Sequence, residues 1–321
     1  MTSSSECVSG RSALSGLPGR SERTRSIYQQ ALKPLLEHIG TRPLRELTAG
    51  DVRAGLEALA DRLSTRYLQI ARASLARAIR YAEAHDLVGR NVAALVDPLK
   101  GQAGRPSRSL TLEESLALLE AARESRLNAY VVLSLTVGIR TEEARELRWD
   151  HGDLDGDPGA ARPVPPWVAV WRSVRLGGDT KTARSRRTLA LPQTAVQALR
   201  EHRKRQAEDR LVAGALWQDH GLVFASAIGT PLDAANVRRE FRKVTEAAGL
   251  GPDWAPRDLR HTFVSLMSAD GVPIEEIARL AGHNRTATTE LVYRHELRPV
   301  ITTGAEVMDR ILNVNGRQNR S

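Results

Sequence analysis

The chain has 321 residues, 41% of them hydrophobic, which is enough for real cores and excludes a disordered polypeptide. Lys and Arg number 47 against 38 acids, giving a net charge of +9, and the pI is near 10.2, so a polyanion is the expected partner and nucleic acid the first candidate. Cys7 is the only cysteine, which rules out an internal disulfide and a cysteine-based zinc site.

Length predicts two domains. Residues 1–21 are rich in Ser and Gly, lack the apolar core of a signal peptide, and are expected to be flexible. "SERTRSIYQQALKPLLEHIG" (21–40) reads as a helix with Gly40 as its stop. "TAGDVRAGLEALAD" (48–61) places Val52, Leu56, Leu59 and Ala60 on one helical face. The stretch 64–91 repeats that pattern at Leu68, Ala71, Leu75, Ile79 and Ala82, with Ser64 as the N-cap. These segments predict an all-α unit over 22–100 with arginines on its exposed faces. Residues 101–109 fall within a Pro- and Gly-containing basic stretch without periodicity and read as a linker.

A second domain is expected over 110–315, followed by a tail at 316–321. It opens with a capping box, Thr111 with Glu114, after which Leu112, Leu116 and Leu119 are expected to line one face. A helix through "AYVVLSL" ends near Gly138; the apolar run 130–139 is only about half a bilayer span, so no membrane association is expected. "WVAVWRSVRL" (167–176) and "TKTARSRRTLALP" (180–192) predict short strands around a basic turn. Helices return at 193–212, 233–248, 256–269, 273–281, 286–293 and 298–313. The fold class is therefore mainly α with a small antiparallel sheet. "DHGDLDGD" (150–157) looks metal-like, but a calcium loop starting at Asp153 would put Pro158 where glycine is needed and Val164 where a bidentate Glu belongs, so it reads as an acidic loop.

Five places make a chemical set. "TVGIRTEEARELRW" (136–149) puts Arg140 and Glu143 one turn apart at a helix start. Lys181 lies next to the basic turn. "PRDLRHTFVSLM" (256–267) puts Arg257 and Arg260 three apart, with Leu259, Phe263 and Met267 as the docking face. "AGH" delivers His283 and "LVYRH" delivers Tyr293. Each has an ordinary explanation when taken singly: a surface ion pair for Arg140, a solvated hairpin for Lys181 among Arg184, Arg186 and Arg187. Together they offer guanidiniums for phosphate oxygens, lysine and histidine for proton transfer, and a tyrosine hydroxyl that cationic surroundings can ionise.

In order and spacing these boxes resemble the tyrosine recombinases, or phage integrases, over roughly two-thirds of the chain. The resemblance implies a helical core-binding domain followed by a mixed α+β catalytic domain. It also implies a site-specific recombinase that needs no metal or cofactor. Tyr293 would attack the scissile phosphate to give a 3′-phosphotyrosine, with Arg140 and Arg260 clamping the non-bridging oxygens. His283 would donate to the same phosphate, Lys181 would protonate the leaving 5′-oxygen, and Glu143 would orient the network. The partners implied are double-stranded DNA target sites, a homo-tetramer on DNA, and in some systems an accessory DNA-bending or directionality protein, all in the cytoplasm. Two positions depart from the family pattern. Arg257 stands where His is usual, which keeps a phosphate ligand but supplies no general base; the adjacent His261 points about 100° away on a helix. The interval from His283 to Tyr293 is ten residues, one more than is commonest. A phage-type integrase and a transposon-borne recombinase or resolvase both fit; a type IB topoisomerase and a catalytically inactive relic are rivals.

Overall fold

The computed structural model describes residues 22–103, 108–174 and 186–282. The chain divides into two compact units, Met1–Pro106 and Ser107–Ser321. Among the described residues no helix is long and apolar enough to cross a membrane.

The first unit consists of α1 (Glu22–Ile39), α2 (Ala49–Ala60) and α3 (Thr65–Glu83), followed by a 3-10 turn at Val92–Leu95. Local chemistry sets its boundaries. Thr48 and Asp51 form a reciprocal capping box at the start of α2, and the Ser64 hydroxyl accepts from the Tyr67 amide at the start of α3. The predicted apolar stripes enter the core, with Val52, Leu56, Leu59, Leu68, Leu75 and Ile79 essentially inaccessible, and Leu32 and Leu35 of α1 join them. The third helix is shorter than the periodicity to residue 91 suggests. It is capped at Ala84, and Asp86 adopts a left-handed conformation that turns the chain back. Arg72 is drawn inward by the resulting loop and donates to the carbonyls of Ala93 and Val96.

The second unit begins with α4 (Leu112–Ala122), whose Thr111–Glu114 capping box forms as expected. Its buried face differs from the expected one. Ser115, Leu118 and Ala122 point inward, whereas Leu112 and Leu116 are 64% and 59% exposed. The stripes differ by a fraction of a turn, and packing selects the one that meets the following helix and the helix at Ala234–Ala247. That following helix, α5 (Asn128–Val137), is mostly apolar and is buried except at Asn128 and Thr136, as the centre of the unit. A short α6 (Thr141–Ala144) follows.

The sheet has three antiparallel strands in sequence order, β1 (Gly152–Asp153), β2 (Trp167–Val170) and β3 (Arg187–Ala190), with Val168 opposite Leu189 and Val170 opposite Arg187. The acidic stretch forms the β1–β2 connection. Asp153 Oδ1 accepts from the amides of Asp155 and Gly156, so this carboxylate serves a turn. Helices α7 (Gln193–Ala213), α8 (Ala234–Ala247), α9 (Pro256–Ala269) and α10 (Ile274–Ala281) complete the unit. The helices expected at 286–293 and 298–313 lie outside the described residues.

Candidate active site

Arg140 and Glu143 are brought together by a local rule. Arg140 is the N-cap of α6, and its amide donates to Glu143 Oε2 at 2.9 Å, the half of a capping box that an N3 glutamate supplies. The Arg140 guanidinium donates to the other carboxylate oxygen. The surface ion pair that would explain Arg140 taken singly does not describe this one, since the Glu143 side chain is 3% exposed.

Arg260 comes from α9. That helix starts with Pro256 at its first turn and Asp258 accepting from the Ala255 amide. Leu259 joins the core around α5, while Phe263 packs with Ile277 and Ala281 of α10 and Met267 lies partly buried beside that cluster. Docking needs glycine at 138: a Cβ there would lie 2.4 Å from Phe263 Cδ1, and its φ of +64° is left-handed. The Gly138 carbonyl, freed at the end of α5, accepts from Arg260 Nη1 at 2.5 Å. Arg260 is 9% exposed.

A third guanidinium joins them, from a residue that taken singly reads as part of a solvated hairpin. Arg187, at the start of β3, donates through Nη2 to Glu143 Oε2 at 3.0 Å and through Nη1 to Oε1 at 3.3 Å. Its side chain is 7% exposed. A signal for this was present: in a strand, Arg187, Leu189 and Leu191 share one face, and both leucines are buried. A cation in phase with an apolar stripe is an inward cation.

All three guanidiniums also converge on the end of α10. Arg187 Nε donates to the Leu280 carbonyl at 2.7 Å, Arg260 Nη2 to that of Ala281, and Arg140 Nη2 to that of Gly282 at 2.5 Å. The last carbonyls of a helix have no intrahelical donors and carry the negative end of its dipole, so they suit cations. Gly282 caps this helix with φ +65°. The next residue in the chain is His283.

Two of the three guanidiniums, Arg140 and Arg187, share one buried carboxylate, and Arg260 is held beside them by the Gly138 and Ala281 carbonyls. Burial opposes the charge on Glu143, but Arg187 and then Arg140 outweigh it and hold its carboxyl below the ordinary range. For Arg260, burial and the like charges of Arg140 and Arg187, partly offset by Glu143 and Glu142, push the pKa down to about 9, so it is still a cation at neutral pH. The cluster is thus a preformed cationic site with positive charge in excess, built for an oxyanion.

Arg257 is placed differently. Its guanidinium is 59% exposed and lies 3.7 Å from the Asp258 carboxylate. His261 is held below its usual pKa, first by burial and also by the charges of Arg257 and Arg260, with Asp258 opposing. Lys181, His283 and Tyr293 lie outside the described residues. Among the described residues no three of His, Cys, Asp and Glu gather to hold a metal ion.

This fold is shared with DNA-bound integrases. The Tn1549 transposon integrase in complex with transposon right end DNA superposes with a TM-score of 0.74 at 17% identity, over 94% of this chain and 98% of that one. A lambda integrase tetramer bound to a Holliday junction gives 0.65 at 20% identity, over 88% and 74%. Sequence comparison goes further. The pattern of the phage integrase family matches residues 108–298. An integrase from Streptomyces ambofaciens is 52% identical over 299 residues, 92% of this chain and 77% of the relative. The tyrosine recombinase XerD of Corynebacterium glutamicum is 28% identical over 86% of this chain and 88% of its own. The chain belongs to the phage integrase family. It is a tyrosine recombinase, an enzyme that cleaves and rejoins DNA.

Proposed function

We propose that Tyr293 is the nucleophile of this recombinase and that Arg140 and Arg260 hold the scissile phosphate. The observation that carries this reading is the convergence of two guanidiniums, separated by 120 positions in sequence, at one site whose positive charge exceeds its negative charge. A phosphodiester carries one negative charge, and the pentacoordinate transition state adds a second as the tyrosine oxygen bonds to phosphorus. Preorganised cations therefore stabilise the transition state more than the ground state. Because the guanidiniums are fixed in advance by backbone carbonyls, little reorganisation is needed when that charge develops.

In this reading Glu143 orients Arg140, and Arg257, on the exposed turn before Arg260, adds a further phosphate contact. His283, directly after the clamped end of α10, donates to the same phosphate, and Lys181 gives its proton to the departing 5′-oxygen. The Tyr293 oxygen forms a bond to phosphorus while the bond to the 5′-oxygen breaks. The product is a 3′-phosphotyrosine with a free 5′-hydroxyl, and attack by a partner strand's hydroxyl reverses the step. Strand exchange proceeds on a tetramer of the chain on duplex DNA in the cytoplasm. The similarity to a transposon integrase and to a lambda integrase tetramer on a junction supports that assembly. An accessory DNA-bending or directionality protein would set the balance of integration and excision. The surplus of cations supports cleavage without Mg²⁺.

The test is formation of a covalent adduct on a nicked duplex that carries the DNA flanking the gene, in excess EDTA. The wild-type chain should form it and Tyr293→Phe should not, although both should bind the duplex equally. An adduct from the Phe variant, or one that requires added Mg²⁺, overturns the assignment.

A further inference from the structure

Each oxygen of the Glu143 carboxylate is shared by two donors. Oε1 takes one bond from Arg140 and one from Arg187; Oε2 takes the Arg140 amide and Arg187. Arg140 and Glu143 are sequence neighbours on one helix start. Arg187 is 44 residues away on a strand, so it is the element that ties this pair to the sheet. The same guanidinium, through Nε, holds the Leu280 carbonyl. Arg187, Arg260 and Arg140 thus take the carbonyls of Leu280, Ala281 and Gly282 in turn, and one helix end fixes the spacing of three cations. The fit is close: a Cβ at Gly282 would lie 3.0 Å from Arg187 Nη1.

Exposure separates their roles. The Arg140 side chain is 28% exposed, whereas the Arg187 side chain is 7% exposed and donates to Glu143 and to the Leu280 carbonyl. If Arg187 were lost, Glu143 would keep a single cationic partner, and Arg140 would answer to a carboxylate no longer anchored from the strand. The charge would remain, but its direction would not.

We infer that Arg187 is a positioning residue for cleavage: by bridging the Glu143 carboxylate and the C-terminal carbonyl of Leu280, it aims the Arg140 guanidinium at the phosphate. This rests on the reading of Arg140 as a phosphate ligand. The bridge requires a planar fork with donors in two directions. Lysine, a single ammonium on a flexible stem, keeps the charge but cannot span both acceptors with the same geometry.

Single-turnover cleavage at saturating protein, on the nicked duplex described above, tests it. Arg187→Lys should fold, bind the duplex with wild-type affinity and salt dependence, and cleave about ten- to a hundredfold more slowly, the size expected for losing charge-assisted hydrogen bonds. Arg187→Ala should be at least as slow; should it fail to fold, the Lys variant decides. In a double-mutant cycle, Arg140→Lys with Arg187→Lys should be no slower than Arg140→Lys alone, because the second residue acts through the first. Wild-type rates for Arg187→Lys, additive losses in the cycle, or weaker binding with a shallower salt slope, which would mark a direct phosphate contact, each overturn the inference. A wild-type chain that forms no adduct overturns the tyrosine reading itself; a normal wild-type adduct with unaffected Arg187 variants overturns this inference alone.

Discussion

Most arginines of the first unit lie on its surface, with Arg72 turned inward onto backbone carbonyls, whereas the second unit gathers arginines into a buried cluster. In the first, the core is an apolar interface of leucine, valine and isoleucine, and Arg42, Arg53, Arg62, Arg66 and Arg80 face solvent. In the second, Arg187 and Arg260 are buried and, with Arg140, organised by a carboxylate and by helix-end carbonyls. Exposed arginines neutralise backbone phosphates by proximity, and ions and water screen them. Buried ones are unscreened and fixed, so they can distinguish a transition state from a ground state. Affinity can thus come from a surface, whereas catalysis needs charges held in place, at a cost in desolvation that the folded structure must offset.

The sharpest way to break this contrast is to remove the shared carboxylate. Glu143→Ala leaves three neighbouring guanidiniums without their counter-charge, and breaking a buried pair in this way costs about 3–5 kcal/mol. Hydrogen exchange at the amides of α6 and α10 should report that loss, and cleavage should fall with it. Unchanged protection would mean that the carbonyls alone hold the cluster.

The matching change in the first unit is apolar. Leu56 is 1% exposed, and Leu56→Ala should cost about 2–5 kcal/mol through lost burial and the cavity left behind. Denaturant titration with exchange read out at α1, α2 and α3 would show it. This loss should be insensitive to pH and salt, unlike that of Glu143→Ala.

A third test uses pH. The Glu143 pKa is lowered by folding, so the unfolded chain takes up the proton first as pH falls. The stabilisation is fully present above the ordinary value of 4.5 and is lost as pH drops through the lowered folded value. Glu143→Gln should flatten the acid limb of the stability profile of the second unit. An acid limb that is the same in both proteins would assign it to other carboxylates.

The smallest effect concerns two arginines one turn apart. Arg260 is buried in the cluster, whereas Arg257 is 59% exposed beside Asp258. If Arg257 contacts phosphate, Arg257→Ala should slow single-turnover cleavage about tenfold to a hundredfold, Arg257→Lys less, and Arg257→His should recover much of the loss. A rate for Arg257→Ala within about twofold of wild type would make its pairing with Asp258 its whole role.

By itself the sequence determined whatever depends on near neighbours. Caps at Ser64 and Thr111, the apolar stripes of α2 and α3, and the glycine stop after α5 are local rules, and the structure follows them. The pairing of Arg140 with Glu143 was legible for the same reason, because a helix start places residues three apart together. Which stripe of α4 faces inward was not, since two stripes of similar content compete and only the neighbouring helices decide. Nor was Arg187. Its partners are Glu143 and Leu280, 44 and 93 positions away, and no local period encodes a contact across that distance. The tertiary structure alone turned a basic hairpin residue into part of a buried cluster: closing the sheet against the end of α10 removes water from one strand face, and a guanidinium on that face must find its acceptors inside.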